Sequence, residues 1–176
     1  MDKVYHVIRS EEAKLGRFKV ILDIVDQEGS EYPYSYVDQK DSVGILGMIG
    51  NRFILIRQYR HSMNYYEYEI VGGGIESGEK PVEVAYREML EETGYEIKDI
   101  DELGAYYPSP GSSNEVCYLF SAKCEKLSEP TREPLEYMSV ELVGEEDFVK
   151  MIKNGSFRHS MGLVAWLKYC IKRGYL

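Results

Sequence analysis

GIESGEKPVEVAYREMLEETGY, residues 74 to 95, carries glycines near both ends and crowds Arg87, Glu88, Glu91 and Glu92 into its last third. Pro81 suits the first turn of a helix, where the N–H it lacks would be unbonded anyway, and Gly94 suits the left-handed residue that closes one. The spacing predicts a helix over 81–93. At about 100° per residue, Val82, Tyr86, Met89, Leu90 and Thr93 fall on one side, and Glu88, Glu91 and Glu92 fall together on the other. The first side is expected to pack and the second to face outward. One reading of the acidic side is a solvated charged face. The other is a cation site. Like charges on adjacent turns repel, a divalent metal reverses that sign, and hard carboxylate oxygens suit Mg²⁺ or Mn²⁺.

Composition bounds the rest. A chain of 176 residues, 44% of them hydrophobic, is long enough for one well-packed domain with a small appendage and short for two. Thirty acidic against 21 basic residues give a formal charge of −9, which leaves no basic excess to displace counterions and argues against general binding to nucleic acid or an anionic membrane. Cys117, Cys124 and Cys170 lack the paired spacing of a zinc site or disulfide framework and read as small core residues in a reducing compartment. The N-terminus shows no signal-peptide core, and the longest apolar stretch, VGILGMIG, is far short of a membrane span. A cytoplasmic location is expected.

Around the central helix the chain reads as strands first, more strands after, and helices to close. FKVILDIVDQEGSEYPYSYVD is expected to form two strands about the turn Gln27–Ser30, with Tyr32, Tyr34 and Tyr36 alternating along one face. SVGILGMIG and RFILIRQYR form a second hairpin about Gly50-Asn51. YEYEIV and EVCYLFSAK are further strands, rich in aromatic and β-branched residues. Helices follow at about 145–153 and 160–172. Helices and strands do not alternate regularly, so the class is α+β.

Gly73, five residues, Glu79, seven residues, then Arg87-Glu88-Met89-Leu90-Glu91-Glu92-Thr93-Gly94 resembles the signature box of the Nudix hydrolase superfamily. Seven specified residues at these offsets would arise by chance on the order of once in a million chains of this size. Tyr95 stands where the family usually has an aliphatic residue. The resemblance implies a Nudix fold, mixed β-sheets sandwiched between helices, over residues 41–176. Residues 1–40 would form an N-terminal antiparallel hairpin extension. It also implies divalent-metal chemistry, with Glu88, Glu92 and the backbone carbonyl of Gly72 as ligands and Glu91 as a further ligand or an orienter of water. Glu79 and Arg87 would hold the loop on the helix by an ion pair, while Gly73 and Gly94 serve backbone geometry.

Two outlying segments resemble the ADP-ribose pyrophosphatase and nucleotide-sugar diphosphatase branch. YYPSPGSSNE, residues 106–115, matches a Ser-Pro-Gly segment and points to Ser109 and Pro110 at the substrate; as an ordinary Pro-Gly turn it would need no such role. Ile56-Arg57-Gln58-Tyr59-Arg60 resembles a strand end whose last arginine reaches a phosphate, a task suited to a guanidinium fork. Arg60 is the first candidate and Arg57 the second. Glu69 matches a glutamate that precedes the glycine loop. The general base of this branch sits on a late loop, which makes Glu133 the first choice and Glu136 the second.

The resemblance therefore implies hydrolysis of the diphosphate of ADP-ribose or a related nucleotide sugar, with Mg²⁺ or Mn²⁺. Relatives form homodimers that swap the N-terminal hairpin, where Tyr34 and its neighbours would stack on a base. The alternatives are a GDP-mannose type hydrolase and a non-catalytic Nudix-fold sensor.

Overall fold

The computed structural model describes residues 4–131 and 137–175. Two compact units partition the chain. One holds the described residues up to Lys40 together with Tyr107–Val116; the other holds Asp41–Tyr106 and the chain from Cys117 onward.

The first unit is an antiparallel three-stranded sheet in the order β1(His6–Leu15), β2(Phe18–Gln27), β3(Ser30–Asp38). The expected hairpin closes where Gln27 pairs with Ser30, and Glu28 and Gly29 both take positive φ, 55° and 84°. That conformation matches the twist of the flanking strands. Strand β1 is an addition to the expected pair. Its sequence, HVIRSEEAKL, is exposed along its whole length, so it carries no apolar alternation by which a strand is recognised. The segment 107–116 docks on β3 through Val37 N–H to the Ser112 carbonyl, 2.9 Å. Asn114 bridges the Gln39 N–H at 2.8 Å and Asp38 at 2.7 Å.

The second unit is built on a seven-stranded mixed sheet. Along it run β4(Ser42–Ile49), β5(Arg52–Arg60), β8(Tyr95–Tyr106), β9(Cys117–Lys126) and β10(Met138–Gly144) in the order β10-β5-β4-β9-β8. The short strands β6(Tyr65–Glu69) and β7(Val71–Gly74) pair with β5 and β4. Strands β4 and β9 run parallel and the other pairs antiparallel. Both faces are covered, so the central strands read as near-continuous apolar runs. On β5, Ile54 and Ile56 join a core with α1(Pro81–Thr93), while Phe53 and Leu55 join a second core with α2(Glu145–Asn154) and α3(Ser160–Arg173). Strand β8 was not expected from the sequence. It is an edge strand interrupted by two register shifts, near Ile97–Asp99 and Glu102–Gly104, which scramble its alternation. Strand β10, at the opposite edge, was not expected either.

Helix α1 has the expected bounds, opened by Pro81 and closed by Gly94 at φ 72°, whose N–H donates to the Leu90 carbonyl at 2.8 Å. A Cβ on Gly94 would come within 2.1 Å of the Ser128 carbonyl oxygen, so both conformation and space require glycine there. The packed face differs from the expected one. Tyr86 is exposed, while Val84, Ala85, Met89, Glu92 and Thr93 are buried. The small side chains of Val84 and Ala85 let the helix lie close on the sheet, and a tyrosine tolerates water at its polar tip. The helix therefore carries Glu92 into the packed face.

Candidate active site

The glycine loop and α1 bring most of the acidic side chains together. Glu92 is 7% exposed, and one of its carboxylate oxygens accepts the Gly72 N–H at 3.4 Å. Glu88 lies against the loop so closely that a Cβ on Gly73 would stand 2.1 Å from its Oε1, whereas a Cβ on Gly74 would meet nothing within 4 Å. Gly73 is therefore the cradle for the Glu88 carboxylate. Arg87 knits the outer edge: Nη1 donates to Glu88 at 2.7 Å and to Glu91 at 3.3 Å, and Nη2 donates to Glu79 at 3.3 Å. Glu79 also accepts the Glu76 N–H at 2.9 Å, which folds the loop back on itself. Burial works against the charge of Arg87, but the attraction of Glu88 and the bonds to Glu79, Glu88 and Glu91 outweigh it and raise its pKa.

The three helix glutamates thus occupy different settings. Glu92 is buried, Glu88 is largely covered, and the Glu91 side chain is 49% exposed. Among the described residues, no three acidic, histidine or cysteine side chains converge as a metal cluster. Glu88 and Glu92 are the carboxylates that lie against the glycine loop, and carboxylate oxygens suit a hard divalent ion. Magnesium is commonly held in this way, by one or two carboxylates with water and substrate phosphate completing the shell.

A second group forms where β5 and β6 pair. Arg60 grips Glu69 along one edge of its guanidinium, with Nε to Oε1 at 2.7 Å and a companion bond from Nη2 to Oε2. These residues line a cleft of about 460 Å³ with Ser62, Met63, Glu67, Arg158, His159 and Ser160. Arg158 donates to Glu67 at 2.9 Å. His159 Nδ1 accepts the Ile70 N–H at 3.3 Å. Burial, the main influence, and the charge of Arg60 hold the His159 pKa below its usual value, against the opposing pull of Glu69 and Glu67. Arg57 points to the other face of the hairpin, its guanidinium 4.6 Å from the centre of the Tyr66 ring.

The remaining expected residues lie elsewhere. Ser109, Pro110 and Tyr34 belong to the first unit, where Ser109 anchors its own turn by accepting the Ser113 N–H at 2.9 Å. Tyr34 has Tyr5 and Tyr36 as ring neighbours at 6.1 and 6.4 Å. Glu133 and Glu136 lie outside the described residues. The sequence reading missed Glu67, Arg158 and His159. Arg158 and His159 had as their signal a basic pair directly ahead of the last helix, which has no defining spacing, and Glu67 had none beyond its place in the strand YEYEIV.

The NUDIX domain family matches residues 38–160, well over half of the chain. The chain belongs to the Nudix family. This Nudix chain is 30% identical over 137 residues to an ADP-ribose pyrophosphatase of Bacillus subtilis (strain 168), covering 76% of this chain and 74% of that protein. It is 32% identical over 129 residues to a methanol dehydrogenase activator of Bacillus methanolicus, covering 70% and 69% of the two chains. A crystal structure of an ADP compounds hydrolase superimposes with a TM-score of 0.87 over 99% of this chain and 98% of that one, at 20% identity, and so shares the Nudix fold. No helix among the described residues is long and apolar enough to cross a membrane.

Proposed function

We propose that the chain hydrolyses the diphosphate bond of ADP-ribose or a related nucleoside diphosphate sugar, releasing a nucleoside monophosphate and a sugar phosphate. The observation that carries this reading is the seating of Glu88 and Glu92 against a glycine loop that leaves no room for a Cβ at Gly73. The ADP-ribose pyrophosphatase named among the relatives supports the substrate class.

In this reading Glu88, Glu92 and the Gly72 carbonyl hold a divalent ion, Mg²⁺ first and Mn²⁺ second. When bound, it neutralises diphosphate oxygens and acidifies a water. Glu91, at the exposed edge, orients the attacking water. Arg60 contributes a guanidinium to a substrate phosphate, with Arg57 the second candidate. Glu79 and Arg87 keep the loop on α1. The general base is Glu133, with Glu136 second. Its support is the family resemblance of the late loop that carries them. Residues 1–40 serve as an exchanged extension in a cytoplasmic homodimer, with Tyr34 stacking on the substrate's base, while Ser109 and Pro110 contact the substrate. Positioning and charge cancellation supply most of the rate in such transfers.

The test is turnover of a panel of nucleotide sugars, GDP-mannose included, with Mg²⁺ and with chelator, read by product mass. ADP-ribose is expected to yield AMP and a pentose phosphate only when the metal is present. Preference for GDP-mannose would move the assignment to that alternative. Absence of turnover across the panel would leave the sensor reading.

A further inference from the structure

The segment leading into α3 contributes two side chains to the β5–β6 cleft, and each meets a glutamate of β6: Arg158 meets Glu67, and His159 meets Glu69. The second contact lies on the path to the substrate arginine. We propose that His159 is a positioning residue that holds Arg60, through Glu69, in the orientation in which its guanidinium meets a substrate phosphate. The proposal rests on the reading that Arg60 contacts the diphosphate.

The imidazole is fixed on two sides. Its ring stands edge-on to Phe157, centroids 6.4 Å apart, and Phe157 is 1% exposed in the core under α3. Nδ1 accepts the Ile70 N–H, so in the neutral ring the proton resides on Nε2. Nε2 stands 3.8 Å from Glu69 Oε2, the same oxygen that takes the Nη2 bond of Arg60. The proton-bearing edge of a fixed ring therefore faces a carboxylate whose side chain is 6% exposed. Glu69 in turn fixes Arg60 at two points. A two-point pair sets the plane of a guanidinium as well as its distance, and so the angle at which Arg60 meets a phosphate. Arg60 itself is 47% exposed at its side chain, so the order in this chain of contacts comes from the buried end.

A bland role is also available to His159, since it could serve only to satisfy the Ile70 N–H. His159→Asn separates the two. The amide oxygen of Asn takes the place of Nδ1 and keeps the bond to Ile70, but nothing replaces Nε2 opposite Glu69. With ADP-ribose and Mg²⁺, H159N is expected to raise KM about tenfold while kcat changes less than about twofold, with an unchanged melting temperature. H159Q, whose longer amide places an N–H nearer Glu69, is expected to recover part of that loss. R60A is expected to raise KM at least as far, and R60A/H159N to be no worse than R60A, because both changes remove one interaction. Nitrogen chemical shifts of the His159 ring should report a protonated Nε2 and a bare Nδ1. Parent-like KM in H159N, additive losses in the double variant, or the opposite tautomer would each overturn the proposal. If R60A itself keeps the parent KM, the failure belongs to the underlying reading of Arg60 instead.

Discussion

The glycine loop with α1 and the β5–β6 cleft are both charged, partly buried groups in one unit, yet they are assembled in opposite ways. The first is drawn from residues 72–94, one continuous stretch in which loop geometry and helical pitch alone bring Gly73 to Glu88 and Arg87 to Glu79. The second joins Arg60, Glu67, Glu69, Arg158 and His159 from three separated stretches, and only the pairing of β5 with β6 and the arrival of α3 unite them. A contiguous site can be fixed by a motif. A dispersed one is fixed by the fold.

The largest effect is expected where the contiguous site is most buried. Glu92→Gln keeps an oxygen able to accept the Gly72 N–H, so the fold should survive, but it removes a charged ligand. We expect kcat/KM on ADP-ribose to fall at least about a thousandfold, or ~4 kcal/mol of barrier. Glu91→Gln, at a half-exposed position paired with Arg87, should cost only about tenfold. Steady-state kinetics beside a thermal melt decides the matter. Equal losses for the two variants would show that burial does not distinguish these carboxylates.

Gly73→Ala comes next. The new methyl would meet the Glu88 carboxylate at 2.1 Å, and the far end of that side chain would have to swing away from the loop. Activity should drop about a hundredfold with little loss of stability, since the displaced group is the far end of a flexible side chain. Gly74→Ala, one residue on and in open space, should retain parent activity. The same pair bears on the comparison: a parent-like Gly73→Ala would mean that the motif glycine serves only the backbone and not the seating of Glu88.

The extent to which the sequence foretold these regions follows from the same difference. Helix α1 was legible to the residue because Pro81 and Gly94 each do something local, occupying a first turn and a left-handed cap. Which way the helix faces was less legible. Counting Tyr86 as apolar turned the expected packed side away from Val84 and Ala85, so Glu92 was assigned to solvent although it is buried. Strands β4 and β5 declared themselves by unbroken apolar runs, whereas β8 hid behind its bulges and β1 behind its polar surface. Arg60 and Glu69 were singled out through family resemblance, and the structure pairs them. His159 was not, since a lone histidine ahead of a helix gains its meaning only from Ile70 and Glu69, some 90 residues earlier in the chain.

The smallest expected effect tests whether the dispersed site contributes to stability as well as to binding. His159 is held below its ordinary pKa chiefly by burial, with Arg60 adding to the shift and Glu69 and Glu67 opposing it. The unfolded chain, with an imidazole near 6.5, therefore takes up the proton first as pH falls. Stability from this group is present in full above about pH 6.5 and is lost as pH drops through the folded value, with a slope of at most about 1.4 kcal/mol per pH unit for one proton. His159→Asn removes the titrating group while keeping the acceptor for Ile70 N–H. The difference in unfolding free energy between parent and variant should be flat from pH 8 to 7 and should then shift in favour of the variant towards pH 5, as measured by denaturant titration at each pH. A difference that stays constant across the range would mean that His159 titrates alike in the folded and unfolded chain, and that the cleft around it is open to water.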